Sequence, residues 1–159
     1  MRRGLMLPLW GLIGLAALTA AGCGGGRPPV TEVEGVVLLN GKPLPNAQVE
    51  FLPELSKFGA EMNSMAVTDE NGRFRLTCNY LQLPGAVVGK HKVTVGEAPT
   101  PQEFRGMDAA SQGRYTQYMA GLKNRPIPDE YGSISKTPLT IEVTADKKEY
   151  KLELTTRKF

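Results

Sequence analysis

The sequence predicts an all-β domain, a Greek-key-like β-sandwich of about seven strands with one helical insert. Three observations predict it. Short runs alternate apolar and polar residues with a period of two, the pattern of half-buried strands. Asn-Gly, Pro-Gly and Asp/Asn/Gly clusters punctuate those runs at turn spacing. Glycine and proline are abundant, at 18 and 12 of 159 residues, as a turn-rich β domain requires.

The first strand pair is expected in Val33 to Phe51. Val33, Gly35, Val37 and Leu39 alternate, and Ala47, Val49 and Phe51 resume the alternation. Asn40-Gly41 lies between them, and Asn-Gly readily adopts positive φ. Pro43 and Pro45 follow; a proline cannot donate to a ladder, so both are expected outside the central pairing. Pro53 to Asn63 is read as an irregular loop and Met65 to Thr68 as a short strand.

Asp69-Glu70-Asn71-Gly72 is a turn, and Arg73 to Cys78 alternates again. Asp-x-Asn-Gly is also a fragment of a calcium loop. That chemistry needs more oxygen ligands and a glutamate about six residues after the glycine, where Cys78 stands. A hairpin turn accounts for the same residues, with Asn71 and Gly72 expected in left-handed conformations. No metal and no cofactor is expected. Leu83 to Ala86 is a turn, and Gly89 to Val95 is a strand. His91 is the only histidine and has no Cys/His cluster to join, so it reads as structural or solvated. Its neighbours Lys90 and Lys92 suggest an edge or surface strand.

Residues 96–137 form an insert too long for a plain connection. Met107, Ala110, Tyr115, Tyr118, Met119 and Leu122 approximate a helical stripe, with Asp108 as N-cap. The helix is expected to cover one open end of the sandwich. The competing expectation is a partner surface that exposes Tyr115 and Tyr118. Leu139 to Thr144 and Tyr150 to Leu154 are the closing strands, joined by a turn at Asp146-Lys147-Lys148.

Met1 to Cys23 reads as a targeting segment. Arg2 and Arg3 form its basic start, Leu5 to Ala21 its apolar run, and Thr19-Ala20-Ala21-Gly22 its small-residue end before Cys23. This resembles a bacterial lipoprotein signal, although Ala20 stands where that family carries an aliphatic residue. The resemblance implies removal of residues 1–22, acylation of Cys23 as the new N-terminus, and a membrane partner reached through lipid. An uncleaved anchor or plain secretion is the alternative. Residues 23–32 are then a tether, Gly24-Gly25-Gly26 flexible and Pro28-Pro29 stiff, and residues 33–159 the domain. Gly24 is not the aspartate of inner-membrane retention, so the outer membrane is favoured. With lipid on Cys23, Cys78 has no disulfide partner and reads as a buried thiol beside Phe74 and Leu76.

The ordered set Val33 to Val37, Gly41 to Leu44, Ala47 to Phe51 and Thr68 to Phe74 resembles the carboxypeptidase regulatory-like domain, a transthyretin-like β-sandwich. Gly89 to Val95 resembles that fold's next strand, and Ile127 to Tyr131 resembles a segment of short bacterial lipoproteins built on it. The resemblance implies an accessory domain and no peptidase activity. Transthyretin-like hydrolases use several histidines, an arginine and a Tyr-Arg-Gly-Ser terminus, whereas this chain has one histidine and ends Thr155-Thr156-Arg157-Lys158-Phe159. No nucleophile elbow or phosphate loop is present either, so no enzyme is expected. Formal charge is +3; removing Arg2 and Arg3 leaves 17 cations against 16 anions, too balanced for nucleic acid. The expected partner is an envelope protein or polysaccharide, although the one tryptophan, Trp10, falls in the signal and supplies no sugar platform.

Overall fold

The structure is a computed structural model that describes residues 26–156. The targeting segment and Cys23 lie outside the described residues.

In chain order the strands are β1 (Val30–Thr31), β2 (Glu34–Leu39), β3 (Lys42–Pro43), β4 (Ala47–Pro53), β5 (Ser64–Val67) and β6 (Arg73–Arg75). They continue as β7 (Thr77–Cys78), β8 (Leu83–Pro84), β9 (Ala86–Val87), β10 (Gly89–Glu97), β11 (Thr140–Val143) and β12 (Glu149–Leu154). The helix α1 (Ala109–Gly121) lies between β10 and β11. The large sheet runs β11-β10-β4-β5-β7-β8. The small sheet has β2 at its centre, β12 parallel along one edge, and β3 and β6 antiparallel to it. β1 and β9 form a two-stranded ladder of their own.

The all-β sandwich with a helical insert is thus the observed architecture. The inner residues of β2, Val37 and Leu39, are fully buried, as are Val49 and Phe51 of β4 and Val93 and Val95 of β10. With Tyr150, Leu152 and Leu154 of β12 they form one core between the sheets. The seven expected runs correspond to β2, β4, β5, β6 with β7, β10, β11 and β12. Twelve strands are observed among the described residues because the chain changes sheets inside some runs and adds two-residue ladders.

Two expectations about pairing are corrected. Val33 to Phe51 is not one hairpin: β2 turns at Asn40-Gly41 into the short β3, so that Pro43 is itself paired with Leu38, and β4 crosses to the large sheet. The turn is tight because both Asn40 (φ 52°) and Gly41 (φ 76°) are left-handed. Arg73 to Cys78 is not one strand: β6 pairs with β2, Leu76 turns the corner, and β7 pairs with β5. The two closing strands do not pair with each other, since β11 edges the large sheet and β12 the small one.

The tether is also shorter than expected. Pro29 accepts a hydrogen bond from Val88 N at 2.8 Å, and Val30–Thr31 pairs with Val87 and Ala86. The folded domain therefore begins before residue 33. Gly85 permits this: at φ 106° it lacks the Cβ that would fall 1.7 Å from Thr31 O.

These pairings give the sandwich two distinct ends. The chain comes in at the end where β2 and β10 begin and β7 finishes. There, Met62, Cys78 and Val87 form a second small core with Val30, Leu55, Phe58 and Tyr80. β10 has nine residues, so it spans about 30 Å to the other end. The turns 40–46 and 68–72, and the insert, sit at that far end.

Candidate functional site

Asp108 caps α1, accepting from Ser111 N at 2.9 Å and from Ser111 Oγ at 2.7 Å. Those bonds hold the Asp108 carboxyl below its ordinary range. The helical stripe does not face the core, however: Ser111 is the one buried residue of α1, Met107 is 98% exposed, and Tyr115 is 38% exposed. Tyr118 is half-buried; it stacks on Phe104 with ring centroids 4.8 Å apart and accepts a hydrogen bond from Asn46 Nδ2 at 2.5 Å. Tyr118 therefore clamps α1 to the turn before β4, and Tyr115 alone of the two presents a free surface. Both expectations for the pair need correction, because α1 does not plug the sandwich and Tyr118 is not an open partner residue.

The plug comes from the end of the insert. Ile127 and Tyr131 are buried in the main core, and Tyr131 lies in a short 3-10 turn, Asp129–Gly132. Tyr131 Oη accepts from Thr155 N at 3.0 Å, which ties the plug to the end of β12. Asn124 Nδ2 reaches the carbonyls of Leu39, Lys42 and Pro43, and Arg125 reaches those of Pro45 and Asn46. Arg125 also pairs with Glu97 at 2.8 Å, closing the base of the insert. These polar anchors carry no periodic signal, so the sequence did not reveal them; the grouping Asn124-Arg125-Pro126 was the available clue.

A groove of about 980 Å³ crosses the outer face of the small sheet. Arg73, Arg75 and Lys151 line it with Glu34, Glu149 and Asn71. Register explains the mixture: Val36 lies between Arg73 and Lys151, and Glu34 between Arg75 and Glu149. Arg75 pairs with Glu34 at 3.0 Å, and Lys151 with Glu153 at 3.0 Å, while Arg73 makes no ion pair among the described residues. Alternating charge of this kind suits a polar, extended ligand and offers no nucleophile–base pair. Asp69 at its rim accepts from Asn71 N and Arg73 N, both at 2.8 Å, so its carboxylate closes the turn. Gly72 is left-handed at φ 72°, whereas Asn71 is not, which corrects the expected turn geometry. Among the described residues no group of three or more His, Cys, Asp or Glu side chains could hold a metal ion.

His91 is neither solvated nor on an edge. β10 has a partner on both sides, and His91 is fully buried with its ring 5.7 Å from that of Phe51. Its Nδ1 lies 3.0 Å from Gly89 O, which can only accept, so the proton is on Nδ1 and Nε2 is left without a partner. Burial lowers its pKa, against smaller opposing effects of the Gly89 bond, Glu142 and Glu54. Cys78 is buried, with Sγ 3.7 Å from Met62 O.

The family described as Domain of unknown function (DUF6795) matches residues 33–95. That span covers β2 through most of β10, strands that belong to both sheets, and stops before the insert. No curated protein and no solved structure matches the chain.

Proposed function

We propose that this chain is a lipid-anchored, non-enzymatic module of the cell envelope, a binding or structural accessory domain held to the membrane through Cys23. One observation carries the reading: the chain joins the sandwich at one end, and the insert crowns the other. A domain tethered at Arg27 to Thr31 turns its far end, with α1 and Tyr115, away from the tether. The charged groove on the small sheet lies along the flank between the two ends and is open to an envelope protein or polysaccharide. The lipoprotein-like segment before Gly24 and the resemblance to carboxypeptidase regulatory-like domains support an accessory role, with the outer membrane as the favoured site. The described residues contain no helix long and apolar enough to cross a membrane; in this reading the acyl chains on Cys23 are the anchor.

Intact-mass measurement of the protein purified from membranes is the direct test. The expected chain starts at Cys23 and carries the mass of acyl groups. Cys23→Ser should leave the domain folded and shift it to soluble or unprocessed fractions. A mature protein that starts elsewhere, or carries no lipid mass, sinks the reading.

A further inference from the structure

The end of the sandwich that receives the tether carries a loop of unusual backbone. β7 leads into a 3-10 turn, Tyr80–Gln82, and β8 leads back. Leu81 (φ 52°) and Gln82 (φ 54°) are both left-handed, although neither is a glycine. Side chains rarely adopt that conformation, and when they do the strain is held by surrounding contacts. In this loop it presents Leu81 to solvent at 72% exposure, beside Leu83 at 36%. Neither leucine belongs to either core.

The tether is fastened to this same loop. Arg27 Nη1 donates to Tyr80 Oη at 2.6 Å, and the Arg27 guanidinium lies 4.4 Å from the centroid of the Tyr80 ring. Asn79 secures the loop base, its N donating to Asn63 O at 2.8 Å and its Nδ2 to Ala60 O at 3.3 Å. Only four residue steps separate Arg27 from Cys23. A fully extended chain covers at most about 14 Å in four steps. If Cys23 carries lipid, Arg27 is leashed within that distance of the anchored residue, and its side chain holds Tyr80 beside it.

We infer that the Tyr80–Leu83 loop is a membrane-contacting foot, which sets Leu81 and Leu83 into the interface of the bilayer that holds the lipid anchor. This rests on the anchoring reading above. The occupant is a lipid surface for two reasons. The short leash brings that surface to the loop, and a wedge of two exposed leucines with an adjoining tyrosine and arginine matches the apolar-to-polar gradient there. Charge does not select the lipid, since at this end Lys90 pairs with Glu54 at 3.3 Å, Lys148 pairs with Glu32 at 2.7 Å, and Arg27 lies in the field of Glu61. Two leucines are too little to anchor the domain alone; their effect is to fix its orientation, with the insert pointing outward.

A single tryptophan can test this, because Trp10 is the one tryptophan of the chain and precedes Cys23. Leu81→Trp, Leu83→Trp and Met107→Trp are purified in the lipidated mature form. Each is placed in vesicles of phosphatidylethanolamine and phosphatidylglycerol with brominated acyl chains. The expected result is flotation of all three, with a blue shift and loss of most emission at positions 81 and 83 and neither change at 107. Should Leu81→Trp fail to fold, Leu83→Trp carries the same expectation. Flotation with solvent-like, unquenched emission at both loop positions overturns the foot and leaves the anchor intact. A wild type that carries no lipid and stays in the aqueous phase overturns the anchor and the foot together.

Discussion

Two glycines show how single residues set this fold. Gly72 closes the turn between β5 and β6, with its O accepting from Val37 N at 2.8 Å. A Cβ there would lie 2.6 Å from Val37 O and 3.0 Å from Leu44 N, both backbone atoms that cannot swing aside. The left-handed conformation alone costs a side chain about 1–2 kcal/mol. Gly72→Ala should therefore destabilise the domain by about 2 kcal/mol or more in urea melts, and added calcium should not restore it. A change within about 0.5 kcal/mol would show that the turn relaxes freely. Gly85→Ala should act locally, since its Cβ would meet Thr31 O and separate β1 from β9. Hydrogen exchange should lose protection around residues 30–31 and 86–88, with Val93 still protected; unchanged protection would mean that β1 docks without the glycine. Gly72 was legible as a turn because Asp69-Glu70-Asn71-Gly72 advertises one. The role of Gly85 was not, because it depends on a backbone more than fifty positions earlier in the chain. His91 misled for a related reason: flanking lysines on alternate positions mark the outer face of a strand equally well in the middle of a sheet as at its edge.

At the scale of elements, alternation located the strands and could not assign them to sheets. A period of two names which side chains face inward, and both sheets share one interior. Hence β2 and β4 read as partners although they face each other across the core, and β6 and β7 read as one strand although Leu76 carries the chain from one sheet to the other. The helix was legible from Asp108 and its spacing. Its buried face was not, since α1 rests on the fold chiefly through Tyr118 while Ile127 and Tyr131 fill the core. This sorts the tyrosines of the insert. Tyr131→Ala should cost about 3–5 kcal/mol, the scale of aromatic truncation in a core. Tyr118→Phe should cost about 1 kcal/mol by removing the acceptor of Asn46. Tyr115→Ala should stay within about 0.5 kcal/mol. Urea melts of the three variants check the order, and a large loss for Tyr115→Ala would mean that α1 packs more closely than its exposed face indicates.

At the scale of the molecule, the stability profile against pH joins the core to the surface. His91 is buried in its neutral form, and burial sets its pKa below the ordinary 6.5. The unfolded chain therefore takes up this proton first as pH falls. The stabilising contribution is full above about 6.5 and declines below it, until the pH reaches the lowered folded value. The charges near His91 oppose the effect without cancelling it: Glu142 and Glu54 favour the protonated ring, and Lys90 and Lys92 flank it on the same strand. A second window opens lower. Glu32, held down by its bond to Lys148, and Asp108, held down by its bonds to Ser111, support the fold only while ionised. Their contribution fades as pH falls below about 4.5 and 3.8, and it is small because both lie at the surface. The wild type should thus lose stability in two stages on acidification. His91→Phe keeps an aromatic ring against Phe51 and removes the titrating group, so the upper stage should vanish and the lower one remain. Urea midpoints measured across the acid range for both proteins decide it. A wild-type profile that stays flat until the carboxylate range would mean that the buried ring reaches water or a hydrogen-bond acceptor on protonation, and that His91 contributes no acid-sensitive stability to the core.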